Sequence, residues 1–304
     1  MKVPLTIFPS ETVFIDDDFI YAKLLTRNMR NDEGVAITPT SDTEIFLAQG
    51  ENDFVYLNES NIDGRISKII ELSTEPLKAQ KQLTNTVSVI IADYLMPKIN
   101  GIDFFKRIKS PYIFKILASN FVDTNYSKKT TAAMNEGIIN AVLDKKQKFY
   151  KTLKQSICKG KNGFFSLISS EILPKPLSKN DKFSDPKLAT FVWELVAEIN
   201  PEYMWANPDL NSFFFKSRNT GADKTLYVVT SDDITDLCQS YQAEFASRKV
   251  IERLQSHEFI LASEDPFSMD GSQWIELLRP AKKIKGQCND YLVSLTDGVS
   301  LDHQ

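Results

Sequence analysis

The sequence predicts a doubly wound α/β domain on a five-stranded parallel sheet, followed by a separate α+β domain. Two observations carry this. Through about residue 155, short apolar runs alternate with stretches of helical periodicity, the pattern of parallel strands joined by crossover helices. Beyond about residue 185 that alternation stops, and strand-like runs stand close enough for a hairpin. The length of 304 residues suits two domains, each with its own core.

The elements follow in order. TVFI (12–15) reads as the first strand. A helix is expected over 18–30, because Ile20 and Leu24, and Tyr21 and Leu25, recur at four-residue spacing. Residues 35–38 read as a second strand. VSVII (87–91) is an unbroken apolar run, as expected of a strand buried on both faces, and it leads to Asp93. A helix over 102–109, a strand in IFKILA (113–118), a helix near 125–136 and a strand at AVL (141–143) complete the sheet. A last helix is expected near 147–158.

The domain is thus expected to span 1–158, with an insertion at about 50–85. Its RISKIIEL portion could make an amphipathic helix, serving as an interface or as plain surface. A linker (159–185) holds the apolar segment GFFSLISSEIL and the polar hinge PKPLSKNDKFSDP. The α+β domain (186–304) is read as a helix (187–199), a hairpin of NSFFFKS and KTLYVVTS, a long helix from 232 to about 256, and strands in EFILAS and DYLVSL. The acidic run at Asp232, Asp233 and Asp236 is read as helix N-terminal chemistry, with Ser231 or Asp232 as cap, in preference to a metal site. The aromatics around Trp193, Trp205 and Phe213 are read as core, with a ligand pocket as the alternative.

Composition narrows the function. No apolar run approaches the roughly 20 residues of a membrane helix, and the N-terminus lacks a signal-peptide pattern, so a cytoplasmic protein with no membrane partner is expected. Three separated cysteines form no CxxC pair, and two histidines are too few for a His-based zinc site or triad. The net charge of −4 divides into +1 before residue 159 and −5 from residue 159 onward. That acidic second half disfavours DNA as a partner.

Chemistry is expected at the carboxyl ends of the strands. Asp16, Asp17 and Asp18 follow the first strand, Asp93 the buried central one, Ser119 the fourth and Lys145 the fifth. Converging carboxylates repel one another and favour a divalent cation, and hard oxygen ligands suit Mg²⁺. An aspartate that attacks a phosphoryl group needs such neutralisation, together with a lysine and a hydroxyl to hold the phosphoryl oxygens.

The segments FIDDD, IIADYLMPKINGIDFF, KILASN and INAVLDKK, in this order, resemble the receiver (CheY-like, flavodoxin-like) domain of two-component response regulators. DYLMPKINGIDFF is similar to the family's D-x-x-M-P-x-x-(D/N)-G motif, and NEGIINAVLDKK resembles receivers found with cyclic-di-GMP phosphodiesterases. The resemblance implies that Asp93 is the phosphoacceptor. It implies a Mg²⁺ site of Asp16, Asp17, Asp93 and the Leu95 carbonyl, with Asp17 favoured as direct ligand, and phosphoryl binding and switching by Ser119 and Lys145. A histidine kinase or phosphotransfer protein is the implied donor, and a homodimer is expected.

The chain departs from the pattern at Asn120, where a small residue is usual, at Val142, where a switch aromatic is usual, and at Lys146, where proline is usual. The C-terminal half carries no output motif. The expected function is a phosphorylation-switched regulator whose output domain binds a protein partner or itself. The alternatives are a receiver-controlled enzyme acting on a nucleotide or second messenger, or a transcriptional regulator.

Overall fold

The computed structural model describes residues 2–30, 37–40, 86–108, 110–120, 124–146, 148–172, 182–207, 211–218, 222–263, 265–287 and 289–297. The 50–85 insertion, with its RISKIIEL segment, lies outside them. Contacts divide the chain into a unit of Phe8–Ile168 and a second unit combining Met1–Ile7 with Ser169–Gln304. This differs from the division expected from sequence in both places. Residues 1–7 leave the α/β domain, and no separate linker begins at 159.

In the Phe8–Ile168 unit, β2 (Glu11–Ile15), α1 (Phe19–Arg30), β3 (Ile37–Thr40), β4 (Val87–Asp93), α2 (Gly101–Arg107), β5 (Phe114–Ser119), α3 (Thr124–Asn135), β6 (Ala141–Asp144) and α4 (Phe149–Ile172) succeed one another, the last four residues of α4 counting with the other unit; β1 (Thr6–Ile7) precedes them and belongs to the other unit. The sheet runs β3-β2-β4-β5-β6, and every pairing is parallel. All seven residues of β4 are buried because the sheet is covered on both faces. Val89 and Ile91 meet Leu25 of α1 and Leu153 of α4 on one face. Ile90 and Ala92 meet Phe104 and Phe105 of α2 on the other. Strand order reverses at β2, so the carboxyl ends of β2 and β4 flank the crevice where open α/β sheets place their ligands.

One helix replaces two. The expected helix at 147–158 and the apolar segment at 163–173 are continuous through α4. Gly160 permits this at close quarters, since a Cβ there would meet the Phe114 ring within 3 Å. Phe164 and Phe165 are buried in the same unit, with the Phe8 ring edge-on to both, and Ile168 is buried too, while Leu167 is exposed. Much of the apolar stripe is therefore core.

The second unit adds α5 (Pro186–Ile199), β7 (Pro201–Asn207), β8 (Ser212–Ser217), β9 (Lys224–Thr230), α6 (Ser231–Gln239), α7 (Arg248–Gln255), β10 (Phe259–Leu261), α8 (Trp274–Leu277), β11 (Leu278–Pro280), β12 (Lys282–Lys285) and β13 (Asp290–Asp297). Its sheet runs β1-β7-β8-β9-β13-β12 and is antiparallel throughout, with β10 and β11 as a separate antiparallel pair. The α+β class is as expected. Leu188 and Val192 of α5 pack on Met204, Phe213 and Val228 of one sheet face, beside Val3 and Leu5. Ile234 and Leu237 of α6, Leu254 of α7 and Trp274 pack over Leu292 on the other.

Two readings of this unit are corrected. The long helix expected from 232 to 256 is broken into α6 and α7 by a 3₁₀ segment, Tyr241–Phe245. Gly271 packs on that segment so tightly that its missing Cβ is what admits the Gln242 carbonyl. The cap of α6 is Thr230, one residue earlier than expected. Its hydroxyl accepts from Asp233 N (3.1 Å) while the Asp233 carboxylate accepts from Thr230 N (2.6 Å). Among the described residues no helix is long and apolar enough to cross a membrane.

Candidate functional site

Parallel registry brings the predicted residues to one edge. Ile15 pairs with Ala92, Asp93 with Ala118 and Ser119 with Asp144, so Asp16, Asp93, Ser119 and Lys145 end neighbouring strands at one level. Backbone bonds hold the loops that follow: Tyr94 N donates to Ala118 O and Lys145 N to Ser119 O, both at 2.9 Å. Gly101 N donates to Tyr94 O (3.0 Å), and Gly101 backs directly onto the Asp93 carbonyl, where a Cβ would collide. The glycine of the DYLMPKING segment thus lets α2 begin against the end of the Asp93 strand, and Asn100 caps that helix by accepting from Asp103 N.

The centre of the site is a buried ion triad. The Lys145 ammonium donates to Asp16 Oδ2 at 2.6 Å and pairs with Asp93 Oδ1. The three side chains are only 5, 4 and 12% exposed. The other oxygens are also held, with Asp16 Oδ1 accepting from Asp18 N and Asp93 Oδ2 from Leu95 N, each at 2.9 Å. The Lys145 ammonium lies over the Tyr21 ring at 5.0 Å and the Phe14 ring at 5.8 Å, a cation–π arrangement. Burial raises the Asp16 carboxyl above its ordinary value, and Lys145 opposes the rise. Burial also pushes the Tyr21 hydroxyl up to about 12.

Two carboxylates face one ammonium, so the triad carries one uncompensated negative charge, and Asp17 adds another at its rim. Asp17 and Leu95 are exposed. Among the described residues no three acidic, histidine or cysteine groups converge closely enough to hold a metal ion. Asp16 and Asp93 are brought together, with Lys145 between them, and Asp17 is not drawn into that cluster. The donor chemistry nevertheless suits a hard divalent cation: carboxylate oxygens, surplus negative charge and an edge open to solvent at Asp17.

Ser119 is buried beside a residue the sequence reading missed. Tyr126, from the first turn of α3, is 6% exposed, and its ring meets the Tyr94 ring edge-on at 4.8 Å and 78°. Burial pushes its hydroxyl up to about 12, and the neighbouring Ser119 hydroxyl opposes the rise. Tyr94 directly follows Asp93, so one aromatic pair connects the loop after Asp93 to the Ser119 hydroxyl. No sequence spacing announces this. Val142 is partly buried against the core, and Asn120 is exposed.

The fold is matched among solved structures. The response regulator LqsR from Legionella pneumophila overlays 99% of this chain and 92% of its own, with a TM-score of 0.76 at 22% identity. The chain has a response-regulator fold. Its Phe8–Ile168 unit has the receiver fold, and the likeness extends through the second unit, whose role it does not disclose. A receiver domain from Clostridium thermocellum (TM-score 0.34, 21% identity, 52% of this chain and 98% of that one) and an adenylate cyclase structure from Rhodopirellula baltica (0.40, 19%, 56% and 100%) overlap too loosely to add to the reading. No protein-family model matches the sequence, and no curated protein matches it.

Proposed function

We propose that Asp93 accepts a phosphoryl group from a histidine kinase or phosphotransfer protein and that the acyl phosphate switches the output unit. The observation that supports it most is the buried Asp16–Lys145–Asp93 triad at the carboxyl edge of a receiver fold. An Asp93 carboxylate oxygen attacks phosphorus, the bond to the donor nitrogen breaks, and the donor imidazole leaves with its electron pair. Lys145 offsets the charge that accumulates on the phosphoryl oxygens, and the Ser119 hydroxyl turns to donate to one of them. Tyr126 and Tyr94 then follow Ser119, carrying in this chain the movement that an aromatic at position 142 would otherwise carry. Mg²⁺, held by Asp16, Asp17, Asp93 and the Leu95 carbonyl, would supply the remaining positive charge.

The metal assignment makes a direct prediction. Asp17→Ala should weaken Mg²⁺ binding by about tenfold or more in isothermal titration. Because Asp17 is exposed, the melting temperature should stay unchanged. Undiminished binding would remove Asp17 from the site. Affinity should also fall on acidification, as the raised Asp16 carboxyl takes up its proton.

The donor surface is proposed on α1. Phe19, Ile20 and Leu24 are 46, 72 and 53% exposed, and they begin directly after the acidic loop. An exposed apolar strip beside the acceptor suits a helical partner that must bring its phosphohistidine to Asp93. Ile20→Glu should slow transfer from the cognate kinase by about tenfold or more, the loss expected of a central interface contact. It should leave labelling by acetyl phosphate as in the wild type. Equal transfer from the kinase would place its docking elsewhere.

The output unit is proposed to act by protein binding or self-association in the cytoplasm. Its acidic balance disfavours DNA, and an enzyme acting on a nucleotide or second messenger stays as the second reading of the chain.

A further inference from the structure

In the second unit, α6 and β10 pack on the sheet beside a partly open pocket of about 300 Å³. That volume is the lower end of the range that accepts small organic ligands. The apolar wall is built from Tyr227 and Val229 of β9, Ile234 and Leu237 of α6, and Leu261 of β10. Ile234, Leu237 and Leu261 are buried and belong to the same core as Trp274, so this wall is preformed.

The polar side of the cavity has one sign. Asp233 and Asp265 contribute carboxylates, Asn211 and Ser263 neutral groups, and among the described residues no lysine, arginine or histidine joins the lining. One oxygen of Asp233 is fixed by the cap of α6, which holds that carboxylate in place at the wall. Asn211 is held as firmly: it stands at φ 54 and its carbonyl accepts from Val228 N at 2.8 Å. Asn200 and His257, by contrast, take positive φ at helix ends. A phosphate entering here would lose its hydration and meet only like charge. A cation would gain two carboxylates and the Tyr227 ring.

We propose that this cavity binds a small organic cation with an apolar body, in a space worth about ten water molecules, and that it is a ligand site of the output unit independent of Asp93. The chemistry of its lining excludes nucleotides from this cavity.

All three tryptophans lie in the second unit, so tryptophan fluorescence during thermal unfolding of the whole chain reports on it. Phenethylammonium, as probe, should raise the unfolding midpoint in a saturable way, and phenylacetate, of the same size and opposite charge, should not. Asp265→Asn, at an exposed position that tolerates the change, should raise the half-saturating probe concentration about threefold or more. Asp93→Asn, which alters the other acidic site of the chain, should respond like the wild type. No stabilisation, equal stabilisation by phenylacetate, an unchanged response in Asp265→Asn, or a response lost in Asp93→Asn would each overturn the assignment.

Discussion

Asp93→Asn incubated with acetyl phosphate and Mg²⁺ should run as a single unshifted band in phosphate-affinity electrophoresis, while the wild type divides into two. The amide keeps the size of the carboxylate and can still accept from Leu95 N, so the loop geometry should survive. What is lost is the carboxylate oxygen that faces Lys145, the proposed nucleophile. Asp16 is a poor replacement, because its side chain is more deeply buried, 4% exposed against 12% for Asp93. A phosphorylated band in the variant, at the wild-type level, would refute the assignment. The same pair of proteins tests assembly. Light scattering should show the wild type gaining mass with a beryllofluoride phosphoryl mimic and the variant staying as it was. A monomeric mass in both would exclude the expected homodimer.

Lys145→Met should destabilise the receiver unit by about 3–5 kcal/mol at neutral pH, the range seen when one partner of a buried ion pair is removed. It removes the only ammonium from between two buried carboxylates, so desolvation is left with no counterion at its centre. The pH dependence has a defined sign. A carboxyl whose folded pKa lies above its unfolded value binds protons more tightly when folded. Its stabilisation is complete below the unfolded value, 3.8 for aspartate, and is lost as pH rises through the folded one. Asp16 is already such a group in the wild type, with burial the largest cause. Without Lys145 the Asp16 carboxyl loses the partner that opposes its rise, so the variant should regain stability as the pH falls from 7.5 towards 5. Mg²⁺ should restore part of it at pH 7.5. Hydrogen exchange along β4 is the suitable probe, since the receiver unit has no tryptophan. Wild-type protection at pH 7.5 would show that the triad contributes nothing to the fold.

The residues that make up the candidate site were legible because their signals are local. An apolar run bounded by an acidic residue marks a buried strand and its carboxyl end, and VSVIIAD is one such segment. The strand ends at Asp16, Asp93, Ser119 and Lys145 followed from the same pattern, and parallel registry aligned them. Tyr126 was not legible. It enters through the packing of a helix side chain under Tyr94, and nothing in YSKKTTAAMN distinguishes that tyrosine from a surface one.

The sequence by itself determined the α/β and α+β classes, the order of the parallel strands along the chain, and the acidic, lysine and hydroxyl groups at their ends. Periodicity and apolar runs depend on neighbours a few positions apart, so the chain states them directly. Only tertiary structure decided that residues 1–7 belong to the second sheet. There Thr6 pairs with Trp205 and the Leu5 carbonyl accepts from Ala206 N at 2.6 Å, a bond between residues some two hundred positions apart that no local pattern encodes. It likewise decided that Lys145 stands between two carboxylates instead of beside one, and that α6 and β10 leave a cavity with acidic groups at its edge. Distances across a fold depend on how whole elements pack, and packing is settled by the volume and charge that distant segments present to each other.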